Sequence, residues 1–247
     1  MLQEIFLKIA REPELAKFDF PSDFQFSIQG ERAMHIKVIK WLEQKRRGFG
    51  DLMILDDPEW SRHFYGDELE FHLAPEGWFY QADRLMARQY ENWNSAVEDG
   101  QAIFSPAKVS EAAKAMKTLD IGNGPAHLVI HVLTQNYAPN LSRFAEKMAF
   151  GQESVELARV AIALERYHLA LGHYPDSLEA LSPRYIPKLP PDIVNGQPLR
   201  YRLKSDGWFV LYSVGWNERD DGGVPFKTSS TQIDMARGDW VWCYPEK

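Results

Sequence analysis

The chain predicts an α+β fold: a helical region packed on a module that joins one long helix to a small antiparallel sheet. Three observations predict it. Leu157, Val160, Ala161, Leu164, His168 and Leu171 recur at spacings of three and four, so one face of a long helix is buried. Two β-prone runs, Leu199-Arg-Tyr-Arg-Leu203 and Trp208-Phe-Val-Leu-Tyr212, flank Lys204-Ser-Asp-Gly207, which reads as a hairpin. The residues before 140 carry mainly helical periodicity. The expected division is a helical domain over 1–139 and an α+β module over 140–247.

The elements follow in order. Ile5, Phe6, Ile9 and Ala10 make an apolar helical stripe, with Pro13 beyond its end. The Phe-rich run FDFPSDFQFSIQ is broken by Pro21 and reads as an extended stretch or packed loop. Residues 30–47 predict a helix buried through Ala33, Ile36, Val38, Ile39 and Leu42 and stopped by Gly48. Residues 48–76 read as irregular. Residues 78–97 predict a helix with Phe79, Ala82, Leu85 and Met86 on its core side. Ser105-Pro106 is the usual start signal of another. Ile121-Gly-Asn-Gly-Pro125 breaks the chain, and the short apolar run over 126–134 reads as helix or buried strand, its surroundings favouring helix.

Pro139 or Asn140 opens the long helix, and Gly172 stops it. Asp176 or Ser177 caps a short helix, SLEALSPRY. Pro187, Pro190 and Pro191 stiffen the connector to the hairpin. The run Asp239-Trp-Val-Trp-Cys243 is the last strand.

Composition narrows the function classes. With 247 residues, 45% hydrophobic and 26% charged, the chain buries a real core and is no disordered tail. A net charge of -7 argues against nucleic acid, which needs a concentrated basic face. The one dense basic cluster, Lys45, Arg46 and Arg47, suits a helix C-terminus. Cys243 is the sole cysteine, which excludes an intrachain disulfide and a cysteine-based zinc site. No apolar run is long enough to cross a bilayer, and the charged N-terminus lacks a signal-peptide core.

The loop most suited to chemistry is Ser213-Val-Gly-Trp-Asn-Glu-Arg-Asp-Asp-Gly-Gly223, closed much later by Gly238-Asp239. Asn217, Asp220, Asp221 and Asp239 offer side-chain oxygens of the kind calcium takes, and its glycines let backbone carbonyls turn inward. The same residues also suit an acidic turn held by Asx-type hydrogen bonds with no metal.

Other clusters have plain alternatives. His127 and His131 lie four apart on one helical face, as in a zinc pair, but HLVIH lacks the glutamate of a zinc protease. His63, Asp67, Glu68, Glu70 and His72 gather in the irregular 51–76 region, as a metal-dependent hydrolase site or as a solvated loop. The tryptophans, Trp60, Trp78, Trp93, Trp208, Trp216, Trp240 and Trp242 among them, either build a glycan or peptide surface or pack between layers. Trp216, in the glycine-rich loop, is the best ligand-binding candidate of these. There is no nucleophile elbow, phosphate loop or dinucleotide fingerprint.

The order from residue 157 to 242 resembles a known family. Its long helix enters a Gly-x-Tyr-Pro turn, a short helix, and antiparallel strands around an acidic, glycine-rich loop. This resembles the soluble headgroup of the type II secretion major pseudopilin. It resembles more closely the pseudopilin-like tails of uncharacterised envelope proteins of planctomycete- and verrucomicrobia-type bacteria. LQ…GERAM near the start is similar to the latter family as well.

The resemblance implies a non-enzymatic envelope protein with a structural or recognition role in secretion or surface assembly. It implies protein partners in the envelope and a periplasmic or cell-surface location. It implies membrane attachment only through an anchor absent from this chain, whether a segment lacking it or a soluble relative. It also implies calcium in the last loop, where the family has Ser-x-Gly-x-Asp-Gly, a glycine pair and an Asp that begins the final strand. Ser213, Asn217 and Asp239 fall on those positions, with Asp220 and Asp221 beside them. Asn217 stands where the family has an acid, and residues 224–237 lengthen the loop.

Overall fold

A computed structural model describes residues 20–45, 74–98, 103–118, 124, 126–127, 130–131, 134, 141–228 and 233–242. Among these residues the fold is α+β. The expected helix at Ile5–Ala10, the cluster at 51–72 and Cys243 lie outside them.

The chain divides into two compact units. One comprises Gln25–Ser95 and Ser110–Leu141; the other comprises Met1–Phe24, Ala96–Val109 and Ser142–Lys247. Helix α1 spans Phe20–Lys45. It therefore takes in the Phe-rich run from Phe20 onwards, across Pro21, which reads in the sequence as a break. Pro21 is the second residue of the helix, where no amide hydrogen has an intrahelical partner, so the ring starts the helix without costing a hydrogen bond. Ile28 and Ile39 are buried on it, whereas Ala33 is exposed.

Helix α2, Glu76–Asn94, buries Phe79, Ala82, Met86, Gln89, Tyr90 and Trp93 at spacings of three and four. It stops earlier than the periodicity predicts. Ser95 closes its last turn through N–H donation to Glu91 O at 3.1 Å and Oγ donation to Asn92 O at 2.7 Å. Val97 then joins a strand.

In the C-terminal unit, β1 (Val97–Glu98) pairs antiparallel with β2 (Ile103–Phe104). Helix α3, Pro106–Lys117, begins as its Ser-Pro signal predicts: Ser105 Oγ accepts the Lys108 amide hydrogen at 3.3 Å.

Helix α4, Leu141–Leu171, is the spine of this unit. Its buried Leu157, Val160, Ala161 and Leu164 meet Leu178, Leu181, Ile186, Leu199, Phe209 and Leu211 in one core cluster. Each such aliphatic side chain, fully buried, stabilises the fold by about 1.5–3 kcal/mol. Leu171 was expected on the buried face but is 49% exposed. The core stripe ends a turn earlier, where the Tyr174 ring folds back and stacks on His168 at 4.5 Å.

The Gly-His-Tyr-Pro turn is tethered twice. Tyr174 Oη donates to Glu165 Oε1 at 2.8 Å, and Tyr201 Oη donates to Pro175 O at 2.7 Å. The short helix expected after it is one 3-10 turn, Leu178–Leu181, which the prolines at 183 and 187 do not let continue.

Strands β3 (Arg200–Leu203), β4 (Phe209–Ser213) and β7 (Trp240–Val241) form an antiparallel sheet in the order β3-β4-β7. The β3–β4 hairpin pairs Leu203 with Phe209 and Tyr201 with Leu211, around the turn that Lys204-Ser-Asp-Gly207 predicts. Between β4 and β7 the chain also forms β5 (Pro225–Lys227) and β6 (Ile233–Gly238), a separate two-stranded antiparallel sheet within the lengthened loop. No helix among the described residues is long and apolar enough to cross a membrane.

Candidate functional site: the acidic loop between β4 and β7

The loop leaves β4 at Ser213 and returns to β7 at Asp239. Both are fully buried. Gly215 makes the first bend at φ +69°, and a Cβ there would lie 2.5 Å from Gly238 O, so no side chain fits. Gly223 lets the far end of the loop rest on β4, since a Cβ there would lie 2.8 Å from Val210 Cγ1.

Asp239 fastens the loop. Its Oδ1 accepts the Asp221 amide hydrogen at 3.2 Å. Its Oδ2 accepts those of Gly223 at 2.6 Å and Val224 at 3.2 Å. Its own N–H donates to Val224 O at 3.1 Å. Burial pushes the Asp239 carboxyl above its ordinary value, against the pull of the three amides, and the nearby Asp221 charge adds to the rise.

The other candidate ligands divide their oxygens among separate partners. Asn217 Nδ2 donates to Asp221 Oδ2 at 2.9 Å, and Asn217 Oδ1 accepts the Arg219 amide hydrogen at 3.1 Å. Asp220 Oδ1 accepts from Tyr212 Oη and from the Gly222 amide, both at 3.0 Å, while Oδ2 lies 3.5 Å from Arg200 Nε. These amide and hydroxyl donors, with Arg200, hold the Asp220 carboxyl below its ordinary value. Ser213 Oγ accepts the Gly215 amide hydrogen at 3.1 Å.

Asn217, Asp221 and Asp239 are thus linked in a chain. Asp220 turns to the β3–β4 side, and Ser213 stays under the first bend. Calcium takes six to eight oxygens at about 2.3–2.6 Å. In this arrangement three amide hydrogens point at the Asp239 carboxylate. Among the described residues, no group of three or more His, Cys, Asp or Glu side chains is placed to hold a metal.

Trp216 is half-buried and lies parallel to Trp240 with ring centroids 6.5 Å apart. Trp240 is anchored in turn by an edge contact to Phe150 of α4 at 5.3 Å and by donation to Met235 O at 2.9 Å. Of the other described tryptophans, Trp93 is buried and the 43%-exposed Trp208 sits beside the β3–β4 turn.

His127 and His131 stack at 5.8 Å, with His131 exposed. The hydrolase cluster, His63, Asp67, Glu68, Glu70 and His72, lies outside the described residues. A shallow cavity of about 420 Å³ on α2 is lined by Tyr80, Gln81, Arg84, Leu85 and Arg88, with no carboxylate or histidine among them.

Sequence reasoning missed two buried acids beneath the loop, Glu153 and Asp192. Glu153 lies four residues before Leu157 on the same apolar stripe, a signal that was readable. Asp192 follows Pro190-Pro191 and precedes Asn195-Gly196, the residue types of an Asx turn. Comparison of the chain with protein families, curated proteins and solved structures finds no match, so the family reading rests on the resemblance of its residues.

Proposed function

We propose that residues 141–242 form a pseudopilin-like headgroup, and that the chain is a non-enzymatic protein of the bacterial envelope. Its role is assembly or recognition at the cell surface or in the periplasm, through protein partners. One observation carries this reading. The β3-β4-β7 sheet packs on the C-terminal half of α4, and an acidic loop inserted between its last two strands is fastened by the Asp that precedes the final one.

On this reading Asp239 closes the loop in place of a metal ion, and calcium is the competing occupant. Trp216 is assigned to partner contact, because its ring is positioned by Trp240 while part of it stays accessible. Fractionation of source cells with an antibody to this chain, combined with a photo-crosslinking amino acid at position 216, tests the proposal. Recovery from the envelope with crosslinks to envelope proteins supports it. Recovery from the cytosol overturns it.

A further inference from the structure

We propose that Glu153 is carried uncharged in the folded protein and latches the 191–198 loop to α4, so that ionisation of its carboxyl releases the loop and the β1–β2 hairpin docked on it.

Glu153 is fully buried on α4. Its Oε2 accepts the Ile193 amide hydrogen at 2.8 Å, across 40 residues, while its Oε1 has no hydrogen-bond partner among the described residues. Next in the chain to Ile193 stands Asp192, 1% exposed. Both Asp192 oxygens are occupied: Oδ1 accepts the Val194 amide hydrogen at 2.9 Å and Oδ2 that of Val214 at 3.0 Å.

Two buried carboxyls therefore share one small region with unequal support. Asp192 has a donor on each oxygen. Glu153 has one donor and a bare oxygen, and a bare carboxylate oxygen away from water is far costlier than a carboxylic acid. Among the described residues, the ionisable groups acting on Glu153 are Asp192 from the loop and Glu156 from its own helix. Glu156 is already engaged by Arg159 at 2.7 Å and by Gln152 Nε2 at 2.9 Å. Burial first, then the Asp192 charge, pushes the Glu153 carboxyl well above its ordinary value, and the Ile193 amide opposes them.

The loop is a junction, so loosening it has reach. Asp192 N–H donates to Gln197 O at 2.7 Å, and Gly196 N–H donates to Asp192 O at 2.8 Å. Ile193 works in two directions: its N–H meets Glu153, and its carbonyl accepts the Phe104 amide hydrogen of β2 at 2.9 Å. Ile103 packs on Gly196 so closely that a Cβ there would lie 2.9 Å from its Cδ1. The α4 contact and the hairpin contact thus pass through one residue, on its two successive peptide groups.

The sign follows from the raised value. Stabilisation by Glu153 is complete below the ordinary carboxyl value of 4.5 and is lost as pH rises through the folded-state value. The test is amide hydrogen exchange at Ile193 and Phe104 in wild type and Glu153→Gln, from about pH 4.5 to about pH 9, corrected for the intrinsic exchange rate. Gln keeps an acceptor for Ile193 and cannot ionise. Protection that falls with pH at least tenfold more in wild type than in Glu153→Gln is expected; parallel profiles overturn the latch. Should Glu153→Gln not fold, the carboxylic-acid carbonyl band of wild-type protein labelled with carbon-13 at glutamate decides it. A buried, protonated band that persists above the ordinary carboxyl range and disappears as Ile193 protection falls supports the proposal. Absence of that band overturns it.

Discussion

The Asp239 carboxylate accepts the Gly223 amide hydrogen at 2.6 Å across 16 residues of chain. The same side chain holds the amides of Asp221 and Val224, so one residue at the entrance to β7 fixes the far end of the loop that leaves β4. Replacing Asp239 with Ala leaves three amide hydrogens without their acceptor. The expected loss is about 3 kcal/mol of unfolding free energy, measured by urea denaturation. Asp239→Asn keeps one acceptor oxygen and is expected to lose less.

Two glycines at positive φ separate backbone strain from steric conflict. Gly207, at φ +83°, has open space around it, whereas Gly215, at φ +69°, faces Gly238 O. Gly207→Ala is expected to cost about 1 kcal/mol, and Gly215→Ala clearly more, because backbone would have to move. Equal costs in thermal or urea unfolding would mean that the approach of 215 to 238 does not hold the loop.

The Gly-His-Tyr-Pro turn depends on its tyrosine hydroxyl. Burial, reinforced by its bond to Glu165, raises the Tyr174 hydroxyl well above its ordinary value, so it remains a donor throughout the physiological range. Tyr174→Phe is expected to cost about 1 kcal/mol. A larger loss, with disturbed Phe209 resonances in NMR spectra, would mean that the ring stacking depends on this bond as well.

The core on α4 is tested by paired truncations. Leu164 is fully buried, whereas Leu169 is 51% exposed. Leu164→Ala is expected to cost about 2–5 kcal/mol, and Leu169→Ala less than about 0.5 kcal/mol. A comparable loss at both positions in denaturant unfolding would displace the buried face from the one described.

What was legible in the sequence is what local chemistry decides. The stripe Leu157-Val160-Ala161-Leu164 repeats at helical spacing, Ser105-Pro106 starts a helix by its own geometry, and Asp206-Gly207 turns a hairpin without outside help. Pro21 misled, because the same residue that breaks a helix interior opens a first turn, and flanking residues alone did not tell which applies. The β5–β6 ladder was hidden because Pro225-Phe-Lys227 is too short to show alternation.

Residues 213, 217, 220, 221 and 239 stand out in the sequence as candidate calcium ligands, but their oxygen count does not say where each oxygen points. That depends on the amides that Gly223 and Val224 turn towards Asp239 and on the one that Gly222 turns towards Asp220. The Glu153–Ile193 bond joins residues 40 apart, and no local pattern encodes that pairing.

The most direct test of the account is thermal unfolding of the whole chain in calcium and in chelator, at matched ionic strength. Closure of the loop by Asp239 predicts the same melting temperature in both, and a large drop in both for Asp239→Ala. A ligand that binds only the folded state, at a hundred times its dissociation constant, adds about 2.7 kcal/mol, which such a measurement detects. A calcium-dependent rise in wild type that vanishes in Asp239→Ala would contradict the account, and would make the loop a metal site that reorganises around the ion.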